Sequence, residues 1–286
     1  MKIPKEYFKL FRKRDEDTNK GDYGRALIIA GSYSMLGAAI IAGKACILSG
    51  VGICDIAMEK SIYEAVSVGV TEAVCTPLSD NFYEADRRLL GEKIKKADCV
   101  VIGCGMGQTD YTSEVLQFCI ENCEVPLIID ADGLNILSKD LSLLEKKKCE
   151  IIITPHPAEM GRLIKKSAEE VNRDRIKTAR DFAVKYGITV LLKGHNTVIS
   201  SADGEYFINR SGNAGMATGG TGDMLSGIIS ALVSSGQTPL NAVRLGAFIH
   251  GASGDLSAKR YSMTSTCPTL MLNQLPKVFS EFEKRF

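Results

Sequence analysis

The residues best suited to chemistry are Asn213-Ala214-Gly215-Met216-Ala217-Thr218-Gly219-Gly220-Thr221-Gly222-Asp223. Four glycines between positions 215 and 222 let the backbone turn tightly and bring its N–H groups up to a ligand. The run opens into MLSGIISALVSSG, read as a helix whose first amides lack partners and carry the positive end of the dipole. A glycine turn feeding a helix N-terminus suits a phosphoryl group in transfer. Asp223 falls in the first turn of that helix. As a plain first-turn acid it would gain about 0.3–1 kcal/mol from the dipole. That role needs no Gly-Gly-Thr-Gly ahead of it, so a catalytic role is the favoured reading. An ordinary aspartate, with a pKa of about 3.9, is ionised at neutral pH. It can take a hydroxyl proton while the helix amides hold the developing negative charge.

Other nucleotide signatures are missing. No GxxxxGK[ST] occurs, which excludes a P-loop. Gly103-Cys104-Gly105-Met106-Gly107 follows an apolar run but lacks the GxGxxG spacing of a redox dinucleotide fold. His156, between two prolines, reads as a ligand contact over a plain loop residue, because loops at strand ends carry function. His195 could equally be a turn residue. His250, inside LGAFIHGASGD, reads as a satisfied core histidine. Asp130 and Asp132 resemble a carboxylate pair, but a strand end followed by a helix N-cap, Asp132, is the simpler account. Lys20 and Arg25 can simply flank a strand, and Lys146-Lys147-Lys148 reads as a solvated helix end.

The elements that must position these groups alternate along the chain. Apolar runs at Arg25–Ala30, Ile53–Met58, Cys99–Ile102, Leu127–Asp130, Ile151–Thr154 and Thr189–Lys193 read as strands, most of them buried on both faces of a parallel sheet. Thr197–Ser200 and Glu205–Ile208 flank Ala202-Asp203-Gly204 and read as a hairpin at an antiparallel edge. Helical periodicity covers Tyr83–Ala97, Ser113–Asn122 and most of the chain after Thr221. A capping box at Ser167-Ala168-Glu169-Glu170 starts one helix running to about Tyr186, closed by Gly187. Gly43 and Gly50 inside an apolar helix imply close helix packing, between subunits in one reading. Such alternation means an α/β sandwich, a mostly parallel central sheet with helices on both faces, and one domain over 1–286. In that fold ligands bind beyond the carboxyl ends of the strands, where the glycine-rich segments fall.

Several segments together resemble the NAD(P)H-hydrate dehydratases of the ribokinase-like group. They are Lys20-Gly21-Asp22-Tyr23-Gly24-Arg25, then Gly37-Ala38-Ala39, GCGMG, Asp130-Ala131-Asp132-Gly133-Leu134-Asn135, Thr154-Pro155-His156-Pro157-Ala158-Glu159-Met160, Lys193-Gly194-His195-Asn196-Thr197 and GNAGMATGGTGD. The last is the most specific, whereas GTGD alone is shared with many ribokinase-like kinases. The resemblance implies a ribokinase-like three-layer sandwich that uses ADP or ATP with Mg²⁺. It would phosphorylate the hydroxyl of hydrated NADH or NADPH (NADHX, NADPHX), and loss of phosphate would then restore the nicotinamide. Residue by residue, it makes Asp223 the base, with Gly220, Thr221 and Gly222 as the anion hole. Lys193, Gly194, His195, Asn196, Thr197, Asn213, Ala214, Gly215 and Gly222 would border the nucleotide. Ala38, Ala39, Gly105, Gly107, His156 and Asp223 would border the hydrated dinucleotide, and Glu159 would approach Mg²⁺ through water. Three positions depart from the family pattern: Ala214 and Cys104 stand where proline is usual, and Ala158 where glycine is. Since proline fixes φ, the two lost prolines bear on loop rigidity. The resemblance also implies a homo-oligomer, often a tetramer, with the companion epimerase on another protein. ADP is favoured over ATP. The rival readings are a ribokinase-like kinase of a hydroxymethylpyrimidine, thiazole alcohol or sugar, and a nucleotide-binding sensor without turnover.

Composition narrows the rest. The 286 residues are 45% hydrophobic and 24% charged with a net charge of +1, so no global field draws the chain to nucleic acid or an anionic membrane. The nine cysteines form no CxxC and lie singly in apolar runs, as expected of reduced thiols in a cytoplasm. No apolar run approaches a membrane span, and the acidic residues near the start, Glu6 and Asp15 to Asp17, argue against a targeting peptide.

Overall fold

The computed structural model describes residues 3–79 and 81–284. Nine strands form one sheet: β1 Arg25–Ile29, β2 Ile53–Glu59, β3 Val74–Leu78, β4 Cys99–Ile102, β5 Leu127–Ile129, β6 Ile151–Ile153, β7 Thr189–Leu192, β8 Thr197–Ser200 and β9 Tyr206–Asn209. Their order is β3-β2-β1-β4-β5-β6-β7-β8-β9. All pairings from β3 through β7 are parallel, and the β7–β8 and β8–β9 pairings are antiparallel. The expected hairpin is therefore the edge of the sheet. Its second strand begins one residue later than expected, at Tyr206.

The helices are α1 Lys5–Phe8, α2 Leu36–Leu48, α3 Tyr63–Gly69, α4 Glu84–Ile94, α5 Asp110–Asn122, α6 Asp132–Leu137 and α7 Pro157–Ile164. They continue with α8 Ala168–Arg173, α9 Arg175–Tyr186, α10 Thr221–Ser234, α11 Pro239–Arg260, α12 Pro268–Leu272 and α13 Leu275–Glu283. Strand alternation sends Ala26 and Ile28 into one apolar layer, shared with α2, α10 and α11, and Leu27 and Ile29 into the other, shared with α4, α5 and α9. These two apolar layers make the three-layer α/β sandwich. No described helix is long and apolar enough to cross a membrane.

Four expectations are corrected here. Strand β3 was not anticipated: its sequence VCTPL exposes one side and contains Pro77, which an edge strand tolerates. The stretch from Ser167 to Tyr186 is two helices, because Asp174 leaves helical geometry (φ −148°, ψ 77°) and its side chain caps α9 by accepting from the Lys177 N–H. Asp132 is the first residue of α6 and not its N-cap, a place taken by Ala131 at φ 49°. Gly50 lies beyond the end of α2 at φ +92°, whereas Gly43 within α2 packs on Ile56 and Val70 of the same chain.

The Lys20-to-Arg25 motif stands at the amino end of β1, opposite the carboxyl ends where ligands bind. Lys20–Tyr23 is a short 3₁₀ turn capped by Asn19, and Arg25 and Lys93 face the buried Asp55 at 3.5 and 2.7 Å. Gly24 has φ +66°, and a Cβ there would lie 1.9 Å from the Ser234 carbonyl oxygen. Its role is close packing of β1 on the end of α10. Gly24→Ala is expected to lose about 1–3 kcal/mol of stability in chemical denaturation; an unchanged midpoint would contradict this packing role.

Candidate active site

The strand order reverses between β1 and β4, which leaves a crevice beyond their carboxyl ends. Loops from both strands meet there: Gly31 N–H donates to the Cys104 carbonyl at 2.8 Å. Gly105, at φ +62°, approaches so closely that a Cβ on it would lie 2.6 Å from the Ala38 Cβ. Ala38 and Gly105 are thus neighbours on one wall of the crevice. Ala39 is fully buried and supports that wall from behind. Gly107 donates its N–H to Asp132 Oδ2 at 2.9 Å and otherwise faces open space, so Asp132 shapes this loop.

The glycine turn closes the crevice from the other side. Gly220 adopts φ +88°, in the left-handed region, and heads α10. Thr221 Oγ1 donates to the carbonyls of Met216 and Thr218, which pins the turn in place. Gly219 faces open space. The first amides of α10 have no intrahelical acceptors and carry the positive end of its dipole. Asp223 sits among them, partly buried. Burial pushes its carboxyl up to about 6, with the Asp130 charge adding to the effect and a Cys104 hydrogen bond and the Lys193 charge opposing it.

Behind the turn lies a buried ion pair that spacing alone did not assign. Asp130, 1% exposed at the end of β5, accepts from Lys193 Nζ at 2.8 Å and from Ser226 Oγ of α10 at 2.8 Å. Burial alone would raise the Asp130 pKa, but the Lys193 ammonium outweighs it and holds it below the ordinary carboxylate value. Burial likewise opposes the Lys193 charge, and the Asp130 and Glu159 carboxylates reverse that, so the ammonium is retained. A Cβ on Gly222 would lie 3.3 Å from Lys193 Nζ. The ammonium therefore sits against the backbone of the anion turn, one residue from Asp223.

Lys193 also links the glycine turn to α7. Its Nζ is 3.8 Å from Glu159 Oε2 on α7. His156 caps that helix: its Nδ1 accepts from the Ala158 and Glu159 amides, while the His156 N–H donates to Glu159 Oε2 at 2.8 Å. The other Glu159 oxygen lies 3.3 Å from His156 Nε2. Both oxygens are thus engaged within the protein. The His156 ring remains half exposed, and burial together with the Lys193 and Arg162 charges lowers its pKa, so it is neutral at pH 7.

Lys193, Gly194, His195, Asn196, Thr197, Asn213, Ala214 and Gly222 line one cavity of about 430 Å³, within the range of small-ligand sites. Gly215 does not line it and packs against the Met263 carbonyl. Asp255 of α11 holds the Asn213 segment by accepting from the Gly212 N–H and Asn213 Nδ2 at 3.0 and 2.9 Å. His250 also lines the cavity, and its buried Nε2 has no partner among the described residues, which overturns its reading as a satisfied core histidine. Burial, opposed by a hydrogen bond to the Thr221 backbone and aided by the Lys193 charge, brings it down to about 4. Sequence could not show this, because the residues flanking His250 are apolar and the cavity forms only when α10, α11 and the β8–β9 edge assemble.

A parallel α/β sandwich with an acid set in a glycine turn beside a small-ligand cavity defines a protein of the ribokinase-like class. The sequence model of the NAD(P)H-hydrate dehydratase family matches residues 26–277, and the chain belongs to that family. It is 32% identical to the ADP-dependent (S)-NAD(P)H-hydrate dehydratase of Listeria monocytogenes, over 98% of each chain. It is 37% identical to the bifunctional NAD(P)H-hydrate repair enzyme of Thermofilum pendens, over 96% of this chain and 53% of that one. The chain thus spans about half the length of such bifunctional relatives. Among solved structures, the ADP/ATP-dependent NAD(P)H-hydrate dehydratase of Bacillus subtilis, co-crystallised with ATP and Mg²⁺, superposes with a TM-score of 0.83. It is 28% identical over 96% of each chain.

Proposed function

We propose that this chain returns hydrated NADH and NADPH to NADH and NADPH, consuming a phosphate of ADP or ATP. The observation that carries this is the placement of Asp223 among the free amides of α10, one residue from a glycine pressed on the Lys193 ammonium. Asp223 takes the proton of the substrate hydroxyl, whose oxygen attacks the terminal phosphorus of the nucleotide, and the bond to the nucleotide breaks. The amides of Thr221 and Gly222 and the Lys193 ammonium hold the charge that develops. Phosphate, a far better leaving group than hydroxide, then departs as a neighbouring C–H gives up its proton and the ring double bond returns.

The nucleotide fits the cavity lined by Lys193 to Thr197, and the hydrated ring fits the crevice wall of Ala38, Gly105 and His156. Among the described residues no three His, Cys, Asp or Glu side chains converge on a metal position. Mg²⁺ would therefore be carried mainly on the nucleotide phosphates, and Glu159, beside Lys193 and His156, would hold it through a bound water. The bound ion would neutralise phosphate charge at the turn. Dehydration is favoured over the small-molecule kinase reading by the names of the relatives matched over nearly the whole chain.

The test is to incubate the protein with NADHX, ADP and Mg²⁺ and follow the absorbance of reduced nicotinamide. Its return above the no-enzyme rate, with release of inorganic phosphate, is expected. No return, or a product that keeps its phosphate, rejects the assignment.

A further inference from the structure

Arg175 is the first residue of α9, a position where the helix dipole disfavours a cation. No carboxylate among the described residues pairs with it to offset that cost. Its guanidinium instead reaches the loop between β7 and β8. Nη2 donates to the carbonyls of Leu192 at 2.8 Å and Lys193 at 3.0 Å, and Nη1 donates to those of His195 and, at 3.3 Å, Asn196. Four backbone carbonyls of one short loop converge on a single planar cation. The break at Asp174, which ends α8 and restarts the helix, is what delivers the side chain there.

The loop it holds has unusual geometry. Gly194 lies at φ +142° and Asn196 at φ +55°, and a Cβ on Gly194 would meet Arg175 Nη2 at 2.9 Å. Among the described residues no hydrogen bond uses the N–H of Gly194, His195 or Asn196. With the carbonyls drawn to the guanidinium, these amides are left for whatever occupies the adjoining cavity, which the same three residues line, and as donors they suit oxygen acceptors. Lysine cannot replace this arrangement, because an ammonium is a point charge with three donors, whereas the guanidinium presents five in a fixed plane.

We propose that Arg175 is the positioning residue for the nucleotide: it gathers the carbonyls of residues 192 to 196 so that the amides of that loop face the bound nucleoside diphosphate. This rests on the reading of the cavity as the nucleotide site. The test compares wild type, Arg175→Ala and Arg175→Lys, with ADP binding measured by calorimetry and turnover of NADHX at saturating ADP. In both variants ADP affinity falls about tenfold or more, in keeping with the loss of charged hydrogen bonds. The KM for NADHX and the kcat at saturating ADP stay within about threefold of wild type, the pattern of lost ground-state binding. Added guanidinium ion at low millimolar concentration restores ADP affinity to the alanine variant. Unchanged ADP affinity in either folded variant overturns the inference. So does a uniform loss of kcat and of both substrate affinities, which marks a mere strut. If wild type itself binds no ADP, the cavity is not a nucleotide site and the inference falls with that reading.

Discussion

Asp223→Asn is expected to lower kcat about 10²–10⁴-fold, the contribution of a positioned general base, while leaving ADP binding close to wild type. A second consequence separates a catalytic acid from a capping one. The Asp223 carboxyl is held at about 6 against an ordinary 3.8, chiefly by burial. A carboxylate whose folded pKa is raised stabilises the fold through its proton at low pH, and that contribution is lost as pH rises through about 6. At pH 8 the ionised side chain therefore works against folding, by at most about 3 kcal/mol. Asparagine removes that penalty, so the variant should be more stable than wild type at pH 8, with the gap closing toward pH 4. A plain first-turn acid predicts the opposite, a loss of the roughly 0.3–1 kcal/mol of helix-dipole stabilisation on neutralisation. In wild type, kcat/KM for free enzyme should climb with pH through about 6 and level off above it. The measurements are turnover and thermal unfolding of both proteins across that range. Turnover equal to wild type removes Asp223 from the reaction, and a destabilised variant at pH 8 returns it to the role of a cap.

How much of this was legible beforehand depended on what each feature needs from the rest of the chain. Strands such as Cys99–Ile102 and Ile151–Ile153 are buried on both faces, so their apolar runs are visible locally. The glycine turn was legible too, because Gly220 holds a backbone angle that side chains rarely accept. Strand β3 was hidden by its exposed face and by Pro77, which pairing at an edge tolerates. The break at Asp174 was hidden because helical periodicity continues across it, and its purpose lies in carbonyls 17 to 21 residues beyond Arg175. Asp130 and Asp132 looked alike in sequence. Only the fold gives one of them Lys193 and Ser226, from elements 63 and 96 residues away, and gives the other the amide of Gly107. The Lys20-to-Arg25 motif illustrates the reverse case. It helped to place the chain in its family, yet it lies at the amino end of the sheet and packs the scaffold.

Lys193→Met should be the most destabilising single change near the site, and it should abolish turnover as well. The substitution keeps the stem length but strips Asp130 of its ammonium, leaving a carboxylate that is 1% exposed with neutral partners such as the Thr154 and Ser226 hydroxyls and a weak thiol contact. Breaking a buried pair from one side costs about 3–5 kcal/mol, or a fall in Tm of roughly 5–10 °C for a chain of this size. The pH dependence follows from the direction of the Asp130 shift. In wild type its pKa is lowered, so the pair stabilises the fold above the ordinary carboxylate value, and that stability is lost as pH falls through the folded one. Without Lys193, burial outweighs the remaining hydroxyl hydrogen bonds and the Asp130 pKa rises, so the variant should suffer most at high pH and recover toward wild type as the medium is acidified. Adding Asp130→Asn to Lys193→Met removes the stranded charge and should restore most of the lost stability, a coupling that a double-mutant cycle measures directly. Turnover should stay lost in the double variant, because the ammonium beside Gly222 is absent from both. If the single variant unfolds within about 2 °C of wild type, or the double variant is no more stable than the single, the pair does not hold the floor of the anion turn. Recovery of turnover along with stability would show that Lys193 serves the scaffold and that charge at the reacting phosphorus is supplied by the amides of α10 alone.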